Sequence, residues 1–271
     1  MPSQTPPPAG ATPARSSMSV TWAGHSTVLI ELDGIRLLAD PVLGERVGPL
    51  RRIAKPVAPA VTERIDAVLV SHLHADHADL RSLARIGRSV PILAPPGAAR
   101  WLTRNGLRDV RELGAGEQAS IGPVRLSTTP AAHDGRRWPV GASTDAVGFV
   151  ARGSLSCYFA GDTDLFPGMA DIAGPIDLAL LPVWGWGPTL GPGHLDPARA
   201  ATAAALIAPR VAVPIHWGTF TLRWPARPPA NPELPARRFA ALVARDSPSV
   251  QVRVLAVGQR TELSHERAAG S

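Results

Sequence analysis

The chain is poor in two residue types whose scarcity narrows its chemistry, cysteine and lysine. It has 1 cysteine, Cys157, among 271 residues. An intramolecular disulfide therefore cannot form, and a cysteine-based zinc site is excluded. Lysine occurs only at Lys55, so the net charge of +6 comes almost entirely from arginine. No basic run exceeds two residues, which favours scattered surface charge over a nucleic-acid-binding face. An anionic small substrate stays open.

Long hydrophobic runs are also missing. No stretch approaches the roughly 18 apolar residues that a membrane span requires. The N-terminal segment is rich in Pro, Ser, Thr and Ala and lacks the apolar core of a signal peptide. We therefore expect a disordered tail over residues 1–18 and, by default, a cytoplasmic protein, with peripheral lipid contact left open. No repeat or linker interrupts residues 19–260, which we assign to one domain, followed by a flexible tail over 261–271.

The order of predicted elements indicates the fold class. Short apolar and β-branched runs fill the start of the domain, with Asp33-Gly34 as a hairpin turn. Strands and helices then alternate, among them a buried strand over 66–71 and a helix over 197–207. Hairpins followed by such alternation fit two packed sheets with helices outside. We predict an α/β fold, an αββα four-layer sandwich of two mixed β-sheets flanked by helices.

The most informative segment is residues 72–77 (HLHADH), directly after the strand predicted over 66–71. Chance produces this pattern in about 4 of 10,000 such chains. Neutral imidazoles and carboxylates suit zinc, manganese or iron, and a catalytic site leaves one position open for water. A short loop can aim alternate side chains at two points, so His72 and His74 would share one metal and Asp76 and His77 another. A helix cap with solvated histidines is the less favoured interpretation.

Four residues cannot complete two metal sites, so we expect further ligands downstream. His133, Asp162 and His216 each follow an apolar run predicted as a strand, over 124–129, 155–160 and 211–215. A layered fold presents functional residues at such strand ends. Alone, His133 or His216 would be interpreted as a structural histidine. Beside the motif, all three are predicted ligands, with Asp162 as the carboxylate that reaches both metals.

These motifs resemble the metallo-β-lactamase superfamily over residues 19–257. The closest resemblance is to its branch of ascorbate-6-phosphate lactonases and N-acylphosphatidylethanolamine-hydrolysing phospholipases D. The matching segments are 24–27 (GHST), 38–41 (LADP), 72–77, 130–133 (PAAH), 160–163 (AGDT), 194–197 (HLDP) and 214–218 (PIHWG). The resemblance implies that one metal is held by His72, His74, His133 and Asp162. It implies that the other is held by Asp76, His77, Asp162 and His216.

The resemblance further implies a dinuclear metal-dependent hydrolase acting on a small lactone, ester or phosphodiester, anionic or lipid-like. Histidine at the motif's second ligand position is more similar to the hydrolytic branch than to the diiron redox branch. Zinc is the first choice for two divalent ions, and the ligand set also accepts Mn²⁺ or Fe²⁺. A metal-bridging hydroxide would be the nucleophile, and Asp76, as a catalytic residue, would coordinate one metal and orient that hydroxide.

His194 is the second catalytic candidate. It precedes Asp196 and Pro197, predicted as N-cap and first residue of the helix over 197–207. The resemblance places it in the substrate site as a proton donor or oxyanion contact; a packed loop histidine is the alternative.

Other candidates are less specific. His25 and Asp40 are expected to support ligand residues from behind. Three tryptophans in loops are candidates for lining an apolar pocket, and loop packing is an equal alternative: Trp138, Trp184 and Trp186. Arg136 and Arg137 are candidates for meeting an anionic group, and solvated surface charge is an equal alternative. We expect a small-molecule substrate and no nucleic acid, and nothing indicates an oligomeric state. A nuclease of the same superfamily and a non-catalytic metal-binding protein are the alternative functions.

Overall fold

A computed structural model of the chain describes residues 17–137, 142–172, 174–187, 189–223 and 230–264. In chain order the strands are β1 (Ser17–Gly24), β2 (Thr27–Leu32), β3 (Ile35–Ala39), β4 (Arg46–Val47), β5 (Leu50–Arg52), β6 (Ala67–Leu69), β7 (Ile92–Ala94), β8 (Val110–Glu112), β9 (Gln118–Ile121), β10 (Val124–Pro130), β11 (Val147–Arg152), β12 (Ser156–Phe159), β13 (Leu178–Pro182), β14 (Val211–Ile215), β15 (Phe220–Leu222), β16 (Gln251–Val252) and β17 (Arg260–Ser264). The α-helices are α1 (Leu80–Ile86), α2 (Ala99–Arg104), α3 (Pro197–Ile207) and α4 (Leu234–Asp246).

The strands form two seven-stranded mixed sheets of similar construction. The first has the order β17-β1-β2-β3-β6-β7-β8, and the second has the order β16-β14-β13-β12-β11-β10-β9. In each sheet four strands pair antiparallel and the remaining three continue in parallel. Apart from β17, the antiparallel strands precede the parallel ones in each half, and the parallel pairs are joined by crossovers longer than a hairpin turn.

Side-chain alternation explains the layers. In β6, Ala67 and Leu69 face the core between the sheets, whereas Val68 belongs to a second apolar cluster that includes Leu83 of α1 and Leu102 of α2. Neighbouring residues of a strand point to opposite faces, so β6 is covered on both sides. Helices α3 and α4 pack against each other and against the second sheet. Each fully buried leucine contributes about 2 kcal/mol. The predicted αββα sandwich is confirmed.

Helix α3 begins where the sequence indicates. The Asp196 carboxylate accepts hydrogen bonds from the backbone N–H groups of Ala198 and Arg199, and Pro197 is the first helical residue. An N-cap aspartate satisfies N–H groups that have no partner within the helix. This cap holds the segment that carries His194 immediately before the helix.

A three-stranded sheet of β15, β5 and β4 was not predicted from the sequence. It joins the segment that follows β3 and Asp40 to the segment that follows β14 and His216. Arg52, the last residue of β5, is buried, with its guanidinium 4.8 Å from the centre of the Phe220 ring and 2.6 Å from the Val42 carbonyl. Burial lowers the pKa of Arg52 to about 10. The guanidinium thus links the two segments.

The C-terminal boundary expected at residue 261 is corrected by the structure. Strand β17 pairs antiparallel with β1 from Ser17–Ser264 to Thr21–Arg260, and Leu263 is buried against the core. The strand's single large apolar residue is buried by tertiary packing in the core, which the local sequence does not reveal. The N-terminal boundary expected at residue 18 is also corrected, because Ser17 and Met18 belong to β1. The rest of both predicted tails lies outside the described residues. None of the described helices has the length and apolarity that crossing a membrane requires.

Candidate metal centre

The predicted ligands follow the ends of strands from both sheets. His72 follows β6, and His133, Asp162 and His216 follow β10, β12 and β14. The structure brings these side chains together with the other residues of the 72–77 loop. Two of the groups that they form are called here the first cluster (His72, His74, His133) and the second cluster (Asp76, His77 and His216, which group with His25). Asp162 and His194 group with His133 of the first cluster.

The first cluster places three imidazoles within ligand distance of one point, because its candidate ligand atoms lie within 4.8 Å of one another. His74 Nδ1 and His133 Nε2 are 3.2 Å apart. His133 Nδ1 donates to the Gly193 carbonyl at 2.8 Å, which leaves Nε2 unprotonated and directed at the cluster. His72 Nε2 is buried without a hydrogen-bond partner. An unpaired buried nitrogen of this kind is costly in an empty apolar site and suits a metal ligand.

The second cluster has the same arrangement with stronger supports. His77 Nδ1 donates to Asp40 Oδ2 at 2.7 Å, and His216 Nδ1 donates to the Trp184 carbonyl. Their Nε2 atoms then face each other at 3.2 Å. Two unprotonated nitrogens at this distance repel each other, so a proton or a cation has to lie between them. The donor set therefore fits a bound metal.

Asp162 contacts the second cluster and also groups with His133 of the first cluster. Its Oδ2 is 3.1 Å from His77 Nε2, and its Oδ1 is 3.3 Å from His216 Nε2. Burial acts to raise the pKa of this carboxyl, but the charges of His216 and His77 outweigh it and hold the pKa well below its usual value. The preceding Gly161 has φ +62°, and a Cβ there would lie 2.6 Å from Ser71 Cβ. Only glycine allows this approach of the Asp162 loop to the motif loop.

Most of the imidazoles are neutral at physiological pH. Burial, reinforced by neighbouring histidines, lowers the pKa of His72 and of His216 well below 6.5 and that of His74 to about 4. Neutral imidazole is the form that binds metals. His77 differs: although burial opposes its charge, Asp162 and Asp40 on either side raise its pKa well above the usual value.

One buried carboxylate supports a histidine of each cluster. Asp40 Oδ2 accepts from His77 and also from Ser71 Oγ, at 2.5 Å. The Ser71 hydroxyl in turn lies 3.0 Å from His72 Nδ1. Carboxylates that orient ligand histidines are common behind metal sites. Asp40 thus lies behind a ligand histidine as predicted, and Ser71 is a further supporting residue that no sequence pattern indicated.

Backbone strain is concentrated at the site. Six described non-glycine residues have positive φ, and three of them are His25 (φ 53°), Asp40 (φ 38°) and His216 (φ 64°). Such conformations cost on the order of 1–3 kcal/mol each and persist where the surroundings impose them. Here each strained residue ends or follows a strand and turns its side chain toward the clusters.

His25 and Trp186 both contact Asp76. His25 Nε2 and Trp186 Nε1 each lie 3.0 Å from Asp76 Oδ2. Burial acts to raise the pKa of Asp76, but the hydrogen bond from His25 and the charge of His77 lower it well below its usual value. An ionised carboxylate only accepts, so both nitrogens donate. His25 therefore supports Asp76 from behind.

His194 lies on the more open side of the centre. Its Nε2 is 3.4 Å from Asp162 Oδ2, its ring centre is 4.7 Å from that of His133, and its side chain is 23% exposed. Burial opposes the charge of His194, but the hydrogen bond and charge of Asp162 prevail and raise its pKa. Its imidazole thus contacts both the buried centre and solvent.

Arg136 and Arg137 differ in their contacts. Arg137 Nη1 donates to the carbonyls of Leu73 and Ala78 at 2.8 and 3.1 Å, and its guanidinium lies 4.3 Å above the ring of Trp101. It therefore holds the motif loop, which is the loop-packing alternative of the two interpretations. Arg136 is exposed and pairs with Asp134. Trp138 lies outside the described residues.

Comparison with known proteins agrees with this fold. The model of a family described as the beta-lactamase superfamily domain matches residues 35–217. The metallo hydrolase Igni18 from the archaeon Ignicoccus hospitalis superposes with a TM-score of 0.71, covering 92% of this chain and 100% of its own, at 22% identity. That likeness shows the shared fold.

Curated relatives support the same family. An uncharacterised protein of Mycobacterium tuberculosis is 34% identical over 224 residues, which are 76% of this chain and 60% of that protein. A metal-dependent hydrolase of Methanopyrus kandleri is 32% identical over 220 residues, 75% of this chain and 85% of its own. An N-acyl-phosphatidylethanolamine-hydrolyzing phospholipase D of Caenorhabditis elegans is 29% identical over 238 residues, 77% of this chain and 66% of its own.

The fold and the histidine clusters define a metallo-β-lactamase-type protein. The chain belongs to the beta-lactamase superfamily domain family. It spans 60% of the length of the mycobacterial relative.

Proposed function

We propose that this protein is a dinuclear metal-dependent hydrolase. The observation that carries the proposal is the pair of clusters with Asp162 near both, and with His72 Nε2 of the first cluster buried and unpaired. The name of the Methanopyrus relative supports the same activity. A structural role for the histidines does not account for His72 Nε2, which is buried without a hydrogen-bond partner.

The first cluster with Asp162 would hold one divalent ion, and the second cluster with Asp162 would hold the other. Zinc suits ligand sets of imidazole and carboxylate, and Mn²⁺ or Fe²⁺ is also accepted by them. When bound, such a pair lowers the pKa of bound water toward neutrality and polarises the oxygen of the attacked group. Asp76 is assigned to this ligand set, where its ionised carboxylate compensates the charge of the cation.

His194 is assigned the proton transfer to the leaving group. Its Nε2 lies beside Asp162, its side chain reaches solvent, and its raised pKa keeps a proton available. A general acid has to lie within hydrogen-bond reach of the atom that it protonates. Among the described histidines of the site, His194 combines this proximity with access from outside.

The proposed substrate is a small ester, lactone or phosphodiester with an apolar part. The exposed indole of Trp186 lies directly beside Asp76 and offers an apolar surface at the site. Ligand pockets combine such apolar walls with a few polar groups. The phosphodiester lipid in the name of the Caenorhabditis relative makes a lipid-like phosphodiester the first compound to try.

The test is metal loading followed by a substrate panel. Protein stripped with a chelator and reloaded with Zn²⁺ or Mn²⁺ is assayed on chromogenic esters, lactones, phosphodiesters and a single-stranded RNA. We expect two ions per chain and hydrolysis of at least one small substrate, and we expect His72→Ala to lose both. Full activity of the stripped protein or of His72→Ala would contradict the proposal, and salt-dependent RNA cleavage alone would indicate a nuclease.

A further inference from the structure

The segment after β13 contacts the second cluster at two points. We call residues 184–187 the tryptophan loop. At one end, the Trp184 carbonyl accepts from His216 Nδ1. Two residues later, the Trp186 indole N–H donates to Asp76 Oδ2 at 3.0 Å. Trp184 Nε1 also lies 3.3 Å from the Gly187 carbonyl, which closes the loop on itself. This loop therefore contacts two residues of one cluster.

The two donors to Asp76 differ in how firmly they are held. His25 is 1% exposed, its backbone N–H donates to Thr219 Oγ1 at 2.7 Å, and its carbonyl accepts from Trp22 Nε1 at 2.8 Å. Trp186 is 37% exposed. Two donors on a single oxygen restrict rotation of the Asp76 carboxylate and leave Oδ1 as the oxygen without these contacts. The buried donor belongs to the core, whereas the exposed one can be altered without creating a cavity there.

We propose that Trp186 is a positioning residue for Asp76 and that its indole N–H sets the metal affinity of the second cluster. This inference rests on the proposed function, because it concerns the ions that the clusters are proposed to hold. The effect is specific to one cluster, since the described hydrogen bonds connect the tryptophan loop to Asp76 and His216 and not to the first cluster. The first cluster therefore serves as an internal reference.

Two substitutions separate the N–H group from the ring. Trp186→Phe keeps an aromatic ring and removes the donor, whereas Trp186→Gln removes the ring and keeps an N–H donor. Loss of a supporting hydrogen bond behind a ligand lowers metal affinity by about 10- to 100-fold. We expect Trp186→Phe to show that loss at one of the two sites and Trp186→Gln to lie closer to wild type.

The experiment is a titration of stripped full-length protein with Zn²⁺ in competition with a chromophoric chelator, fitted for two sites. Thermal unfolding of each stripped variant verifies that it is folded. Unchanged affinities in Trp186→Phe would overturn the inference, as would equal losses in both variants, which would assign the effect to ring packing. Wild-type protein that binds no Zn²⁺ would overturn the proposed function as well, so the two failures are distinguishable.

Discussion

The two clusters contain similar ligands but are supported differently. In the first cluster, the rings are oriented by the Ser71 hydroxyl and by the Gly193 carbonyl, and His74 and His133 are half-buried. In the second cluster, His77 and His216 are 0% and 1% exposed. There the supports include the Asp40 carboxylate and two donors on Asp76.

This difference indicates which position binds metal more tightly. The second cluster has one carboxylate among its ligands and another behind His77, so it offers a cation more negative charge than the first cluster does. Carboxylate support raises the basicity of a ligand histidine. We therefore expect the second cluster to fill first when stripped protein is titrated with metal.

The largest expected effect comes from the residue that the clusters share. Asp162→Ala removes the carboxylate next to both, so both ions should be lost together with hydrolysis, by at least about a thousandfold. Elemental analysis of the purified variant measures the metal content. Retention of one ion would mean that Asp162 is a ligand of one cluster only. A residue other than Asp162 would then have to be the ligand that both ions share.

A second expected effect separates chemistry from metal binding. His194→Gln should lower kcat by about 100- to 10,000-fold, the range typical for loss of a general acid, while both ions stay bound because neither cluster includes His194. Steady-state kinetics with metal analysis on the same sample tests this. Loss of an ion in His194→Gln would move this histidine into the ligand set.

Asp40→Asn directly tests the expected difference in metal affinity between the two clusters. The amide keeps the volume but removes the negative charge behind His77, and we expect about a 10- to 100-fold weaker second site. The first site should change less, because Asp40 reaches His72 only through Ser71. Two-site metal titration compares them. Equal weakening at both sites would show that the Ser71 link is as strong as the direct contact.

The smallest expected effect concerns the loop that carries ligands of both clusters. Arg137→Gln removes two charge-assisted hydrogen bonds to the carbonyls of Leu73 and Ala78. We expect a loss of about 2 kcal/mol in the free energy of unfolding, measured by urea denaturation. Arg136→Gln is the matched control, since its guanidinium is exposed and its pair with Asp134 contributes little. Similar losses in both variants would contradict the assigned role of Arg137.

Much of the fold could be predicted from local patterns. The strands expected over 124–129 and 211–215 correspond to β10 (Val124–Pro130) and β14 (Val211–Ile215), and the helix over 197–207 corresponds to α3. These segments have a clear apolar pattern or a clear cap. The three-stranded sheet of β15, β5 and β4 has strands of two or three residues, too short for any periodicity, and it forms because tertiary contacts bring them together.

The metal centre likewise has features that local sequence predicts and features that depend on tertiary contacts. The 72–77 motif and the strand-end positions of His133, Asp162 and His216 were evident from the sequence, because residue type and spacing are local properties. The hydrogen bond from Trp186 to Asp76 joins positions 110 residues apart, and the hydrogen bond from Arg137 to the Leu73 carbonyl joins positions 64 residues apart. No local pattern encodes such pairs.

The sequence by itself therefore determined which side chains are candidates for metal ligands and which strands carry them to one edge of the sandwich. Only the tertiary structure decided how each ring is turned, because that depends on the partner of its second nitrogen: Asp40 for His77, Gly193 for His133 and Trp184 for His216. Those partners lie on other strands or loops, and hydrogen-bond geometry over a few ångströms is set when the two sheets pack.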